Sequence, residues 1–278
     1  MRLIVEAGST KTHSAVLLDN GRWVRHTTPG INPVTDGDAI SKLLELLASW
    51  KTYPVDRIFY YGSGCINTAV IERIASVFRE NVSADVHVQD DLLGAARATA
   101  GVSSGIVAII GTGSNTGYYD GQQIQDGIQS CGYLLGDEGS GYRFGQQIYT
   151  RWCRGQLSSE LSDQMALHAG YTSERAIQNL YQHPNPRTFL ASFAKFLHLL
   201  EDSERRALIR DVFSRFVEQM ALPLARRYNV PIHFVGSIAY HLRQELRDIL
   251  LEYDIRVGSL LQSPIAGLIK YHEHEKGD

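Results

Sequence analysis

Leu3-Ile4-Val5-Glu6-Ala7-Gly8-Ser9-Thr10-Lys11-Thr12 opens the chain, and Ile106-Val107-Ala108-Ile109-Ile110-Gly111-Thr112-Gly113-Ser114-Asn115 repeats its plan further on. After each stretch comes a second run, Ala15-Val16-Leu17-Leu18 in one copy and Gly117-Tyr118-Tyr119 in the other. Each copy then reaches a hairpin signal, Asp19-Asn20-Gly21 or Asp120-Gly121. The pattern predicts a buried strand, a tight Gly/Ser/Thr turn, a second strand and a hairpin turn. A turn without side chains in the way exposes backbone N–H groups, and such a concave run of donors suits a phosphate. Two copies predict two similar halves facing one polyphosphate. Neither copy fits the Walker pattern or a G-x-G-x-x-G between strand and helix, so a P-loop or dinucleotide fold is not indicated.

Composition frames this reading. A length of 278 residues allows one large domain or two of ordinary size. At 44% hydrophobic and 21% charged, the chain can bury a full core. The net charge of −3, without a long basic run, carries no nucleic-acid footprint. No apolar stretch reaches the ~18 residues that would predict a membrane span. The N-terminus enters a strand pattern at once, without a signal-peptide pattern, and Cys65, Cys131 and Cys153 lack metal or redox spacing. These features predict free thiols and a cytoplasmic protein.

Between and beyond the hairpins, strand and helix patterns alternate. Helices are expected at Ala39–Trp50, Thr68–Glu80 and Leu92–Ala100, with strands at Arg57–Tyr61 and Asp85–Gln89. The second half predicts helices at Gly139–Gly155, Ser158–Ala169, Ser173–Gln182 and Arg187–Glu201. A long helix over Ser203–Tyr228 follows, capped by Ser203 and kinked at Pro223. Strands at Pro231–Val235 and Ile255–Gly258 alternate with helices at Ala239–Tyr253 and Pro264–Glu273. The order predicts an α/β fold of mixed sheets covered by helices. A boundary is expected in Gly101-Val102-Ser103-Ser104-Gly105.

In open α/β sheets ligands bind beyond the carboxyl ends of strands. Gly62-Ser63-Gly64, Asp90-Asp91, Gly132–Gly141 and Gly236-Ser237 fall there. Gly136-Asp137-Glu138-Gly139-Ser140-Gly141 is the densest cluster, read either as a helix start favouring acids or as a ligand site. Asp90-Asp91 divides the same way, between a helix cap and one carboxylate facing a ligand. His272 and His274 in the charged tail read as a solvated helix end. Arg205-Arg206 and Arg226-Arg227 read as the wet face of a helix. Trp152 with Phe189, Phe193 and Phe196 reads as core or dimer contact, and Cys131 as a small lining residue.

Taken in order, Gly8–Thr12, Gly30-Ile31-Asn32-Pro33, Asp91–Ala96, Gly111–Asn115, Gly136–Gly141, Gly236-Ser237 and Ser263–His272 resemble the BadF/BadG/BcrA/BcrD ATPase family, closest to its N-acetylglucosamine kinase branch. The resemblance spans nearly the whole chain. It implies an actin-like ATPase fold of two ribonuclease-H-like domains with an interdomain cleft, 1–104 and 105–262, the helix of 263–278 packing back on the first. It also implies a homodimeric kinase using ATP and Mg²⁺, with N-acetylglucosamine ahead of N-acetylmuramic acid, glucosamine or glucose. Asp91 matches the general base. Asn32, Asp91, Gly132 and Asp137 match sugar-contacting positions. Gly8, Ser9, Thr10 and Lys11 with Gly111, Thr112, Gly113 and Ser114 match the phosphate turns, and Gly236 and Ser237 the adenosine site. One departure is Glu6, where the family has an Asp that helps hold hydrated Mg²⁺; another is His13, where relatives often carry an acid. Two other functions stay open: a BadF-type ATPase that activates another protein, and a sugar- or nucleotide-binding protein with lapsed catalysis.

Overall fold

The structure is a computed structural model that describes residues 1–18 and 20–274. Asp19 of the first hairpin signal and the tail at 275–278 lie outside the described residues. The first repeat folds as expected. β1 (Arg2–Ala7) pairs antiparallel with β2 (Lys11–Leu17), and β2 with β3 (Trp23–Pro29). On its other edge β1 pairs parallel with β4 (Arg57–Gly62), which pairs parallel with β5 (Asp85–Asp90). The sheet order is β3-β2-β1-β4-β5.

Alternation along β1 decides what packs where, because successive side chains point to opposite faces. Leu3, Val5 and Ala7 join a core with Leu43 and Leu46 of α1 (Ala39–Ser49), with Trp50 just after it, and with Ile74 and Phe78 of α2 (Thr68–Asn81). Ile4 clusters with Ala15, Phe59 and Leu268, the last on the C-terminal helix (Ile265–His274). Burying each such side chain fully stabilises the fold by about 1.5–3 kcal/mol. α3 (Asp91–Thr99) follows β5 without a break and packs against the C-terminal helix.

The second repeat builds β6 (Gly105–Ile110), β7 (Ser114–Tyr119) and β8 (Ile124–Gly127). With β9 (Ile232–Val235) and β10 (Val257–Leu261) they form a sheet of order β10-β9-β6-β7-β8. Read from β8, this is the order of the first sheet, strand for strand. The sequence repeat is therefore a structural duplication. The chain divides into two units. Unit 1 comprises the described residues of Met1–Val107, Tyr119–Gln125 and Ser263–Asp278; unit 2 comprises Ala108–Tyr118 and Asp126–Gln262.

Unit 2 carries α4 (Gly132–Leu135), α5 (Gly141–Cys153), α6 (Ser159–Ala169), α7 (Ala176–Gln182), α8 (Pro186–Ser192), α9 (Asp202–Phe216), α10 (Leu222–Tyr228), α11 (Ser237–His241) and α12 (Arg243–Glu252). Several helices differ from expectation for local reasons. α5 starts at Gly141, not Gly139, because Ser140 caps it by accepting the Arg143 N–H. Ser203 is not a cap: α9 starts at Asp202, and Glu201 holds the cap position without a side-chain bond. The expected long helix divides at a π-turn over Val217–Ala221, just ahead of Pro223. Proline has no N–H for the ladder, and one wide turn absorbs the mismatch. The 187–201 segment splits into α8 and a 3₁₀ stretch over Phe193–Leu199. Trp152, Phe193 and Phe196 are buried among the helices of unit 2.

The C-terminal helix, named α13 in this order, corrects one reading. His272 is buried, not solvated: its Nε2 lies 2.8 Å from the Tyr61 hydroxyl and its ring stacks on Phe59. An apolar helix face carried it inward, since Leu268 and His272 are one turn apart on the stripe that meets the sheet.

Candidate functional site

In unit 1, the first turn is closed by the Gly8 N–H donating to the Lys11 carbonyl at 3.0 Å. Two more of the turn's carbonyls, those of Gly8 and Thr10, are covered by the segment after β3. Gly30 N–H donates to Thr10 O at 3.0 Å and Ile31 N–H to Gly8 O at 3.1 Å. An anion-binding turn requires its carbonyls to be engaged elsewhere, because they repel the ligand that its N–H groups attract. The same strapping delivers Asn32, which is buried beside the turn. Asn32 Oδ1 accepts the Val34 N–H, so what it offers a ligand is the amide N–H pair. Gly30 has no room for a side chain: a Cβ there would come within 2.5 Å of the Ser9 carbonyl carbon and oxygen. Gly30→Ala should cost about 1–3 kcal/mol by overpacking. That is roughly 3–10 °C in melting temperature, readable by calorimetry; an unshifted transition would show that the strap is not tight.

At Asp90-Asp91 the cap falls to one residue of the pair. Asp90 is the cap, its Oδ1 accepting the Leu93 N–H at 2.8 Å. Asp91 is the first residue of α3 and is not used as its cap. It faces Glu6 at the end of β1 closely enough to matter electrostatically. The Glu6 carboxyl is pushed up to about 8, first by burial and then by the negative charge of Asp91. Two acids that crowd each other in this way form a donor set suited to a hard divalent cation, which prefers carboxylate oxygen.

The sign of this coupling is testable in metal-free protein. The native state holds the Glu6 proton more tightly than the unfolded chain does. Stability therefore falls as pH rises between about 4.5 and about 8. Glu6→Gln, melted in chelator across that window, should flatten the curve and exceed the parent protein above its upper end. Equal slopes for the two proteins would mean that the Glu6 carboxyl is not raised in the native state.

In unit 2, the second turn repeats the arrangement with different straps. Gly141 N–H donates to Gly111 O at 2.8 Å and Tyr142 N–H to Thr112 O at 3.0 Å. These are the first N–H groups of α5, so the helix start satisfies its orphan donors on the turn's carbonyls. Asp137 is buried with φ at 61°, and its Oδ1 accepts the Ser114 N–H at 3.1 Å. It is thus tied to the second turn, and the helix-start reading of this acid does not hold. A pocket of about 140 Å³ is lined by Ser114, Cys131, Asp137, Glu138, Gln219 and Met220. Gln219 and Met220 lie on the π-turn.

Gly236 has φ at 127°, and a Cβ on it would fall 2.3 Å from the Ile110 carbonyl oxygen. It brings β9 against the end of β6, and Ser237 starts α11 on the exposed side. Gly132 starts α4 next to the exposed Cys131. Cys65 is buried, and its thiol is pushed up to about 12 by burial and then by the charge of Asp91. No helix among the described residues is long and apolar enough to cross a membrane.

Arg187 was missed in the sequence. Its Nη2 lies 2.9 Å from Asp137 Oδ2. A signal was present: Asn185 caps α8 and Pro186 opens it, so Arg187 puts a cation in the first turn of a helix. The helix dipole disfavours a cation there, which asks for a partner elsewhere.

No family model matches the chain. Among solved structures, a candidate N-acetylglucosamine kinase from Porphyromonas gingivalis is 34% identical, with a TM-score of 0.84 over 99% of both chains. A second, from Chromobacterium violaceum, has a TM-score of 0.71 over 97% of this chain and 98% of that one, at 19% identity. A ROK family glucokinase from Streptomyces griseus, solved with glucose and AMPPNP, has a TM-score of 0.62 at 14% identity over 98% of both chains. These last two share the fold. Among curated proteins, the N-acetyl-D-glucosamine kinase of Dictyostelium discoideum is 24% identical over 164 residues. That match covers 52% of this chain and 51% of that protein, so the chain spans about half the length of the curated relative it matches. The BadF name rests on the sequence motifs, whereas the identity and coverage of the Porphyromonas protein assign this chain to the N-acetylglucosamine kinase family of the actin-like ATPase fold.

Proposed function

We propose that the protein transfers the γ-phosphoryl group of ATP to the 6-hydroxyl of N-acetylglucosamine. One observation carries this reading: Asp91 is an acid not used as a cap, at a strand–helix junction in the unit whose first turn has its carbonyls covered. Phosphoryl transfer asks for positioning and charge neutralisation more than for covalent chemistry. Asp91 accepts the hydroxyl proton as the sugar oxygen bonds to the γ-phosphorus. The bond from that phosphorus to the β–γ bridging oxygen breaks, and ADP leaves with the electron pair. The amide of Asn32 and the carboxylate of Asp137 hold sugar hydroxyls, with Gly132 alongside. The turns at Gly8–Lys11 and Gly111–Ser114 hold the phosphates, and Gly236 and Ser237 border the adenosine. Glu6 would hold Mg²⁺, which supplies charge neutralisation on the phosphates when bound. A homodimer is part of this proposal and is read by light scattering.

The test is ATP consumption with Mg²⁺ across N-acetylglucosamine, N-acetylmuramic acid, glucosamine and glucose, with product analysis for the 6-phosphate. Tight sugar binding without ADP formation would instead favour the lapsed-catalysis reading that Glu6 motivates.

A further inference from the structure

Arg187 holds an unusual position for a cation. It lies in the first turn of α8, against the dipole, and reaches across to the second Gly-rich turn. Its Nη2 lies 2.9 Å from Asp137 Oδ2, with the two side chains 23% and 2% exposed. The same nitrogen presses on the turn itself, since a Cβ on Gly113 would fall 1.7 Å from it. Any residue but glycine at 113 would therefore push the guanidinium out of this position.

The pair is not self-sufficient. Arg187 Nε and Asp137 Oδ2 are both buried without a hydrogen-bond partner. The 2.9 Å approach brings the charges together without the alignment of a hydrogen bond. Buried polar groups are nearly always satisfied, and the exceptions need a reason. Here one buried donor and one buried acceptor lie at a turn already strapped for anion binding. A guanidinium with an unspent N–H matches phosphate oxygens, which its planar fork recognises bidentately. A carboxylate oxygen with unspent lone pairs matches a hydroxyl.

We infer that Arg187 is a phosphate-binding residue of the donor nucleotide, contacting its terminal phosphates at the Gly111–Ser114 turn and holding Asp137 ready for the acceptor. This rests on the kinase reading for the identity of the nucleotide. A purely structural ion pair would instead complete its own hydrogen bonds and would not need a glycine beneath it.

Calorimetry with AMP-PNP, adenosine and N-acetylglucosamine as separate probes tests the inference without requiring turnover. Arg187→Gln should weaken AMP-PNP binding about tenfold to a hundredfold, the size of a lost charge-assisted bond. Adenosine affinity should be unmoved, and Arg187→Lys should recover part of the loss by keeping the charge. Should Arg187→Gln fail to fold, Arg187→Lys decides alone: several-fold weaker AMP-PNP binding with adenosine unmoved supports the inference. Wild-type AMP-PNP affinity in either folded variant overturns it, as does a loss confined to the sugar, which would reduce Arg187 to a prop for Asp137. Absence of sugar-dependent turnover in the unaltered protein would sink the kinase reading alone, because the AMP-PNP comparison is still read.

Discussion

Asp91→Asn should lower sugar-dependent ADP formation by about 10²–10⁴-fold, the usual loss when a general base is removed. Sugar affinity, read by calorimetry, should change little. Asparagine keeps the shape and one hydrogen-bonding oxygen but cannot take the proton. The expectation draws its force from the division of labour at β5–α3. Because Asp90 caps the helix, Asp91→Asn leaves the cap intact and should not unfold α3. A second readout follows from the charge on Asp91, which helps raise Glu6. In Asp91→Asn the Glu6 carboxyl should titrate lower, toward the range set by burial alone. Near-normal turnover in this variant would remove Asp91 from the role of base.

Loss of sugar binding is the second large effect. Asp137→Asn and Asn32→Ala should each weaken N-acetylglucosamine binding by about 1.5–3 kcal/mol, roughly tenfold to over a hundredfold. Asparagine is preferred at 137 because its amide oxygen still gives the Arg187 guanidinium an acceptor, which alanine would remove along with the charge. Breaking a buried pair by deleting one partner costs about 3–5 kcal/mol and would confuse stability with affinity. Asp137 has a specific reason to matter: Oδ1 is committed to Ser114, whereas Oδ2 is buried without a hydrogen bond and suits a hydroxyl donor. Melting curves taken alongside separate folding from binding. Unchanged affinity in both variants would put the sugar pocket elsewhere or make the ligand something other than a sugar.

Glu6 joins these two predictions to the family's chemistry. Its extra methylene, relative to aspartate, moves the carboxylate by about one C–C bond length, ~1.5 Å. Glu6→Asp should hold or raise Mg²⁺-dependent turnover, whereas Glu6→Gln should shift the Mg²⁺ titration while sparing sugar affinity. An unmoved titration curve for Glu6→Gln would rule out the metal role.

The sequence by itself determined the architecture, because the signals that specify it are local. The apolar run Leu3-Ile4-Val5, the glycine turns at 8–10 and 111–113, and the apolar stripes of α1 and α2 lie within a few residues of the structure they encode. Repetition of one such unit predicted two similar halves, and the two sheets share one strand order. Helix ends were legible less well. Caps are decided by one side-chain bond, such as that of Ser140 to Arg143, and neighbouring residues compete for the position.

Tertiary structure alone decided the charges and the buried partners. Glu6 and Asp91 are far apart in sequence, and their coupling exists only because β1 and β5 flank β4 in one sheet. The Arg187–Asp137 pair joins α8 to the turn before α5, so neither residue's local sequence names the other. His272 reads as solvated beside Glu273, yet the packing of α13 on the sheet drives it against Phe59 and Tyr61. The physical reason is the same in each case. Propensity and periodicity act along the chain, whereas desolvation and Coulomb interaction act through space and depend on distances that only the packed fold sets.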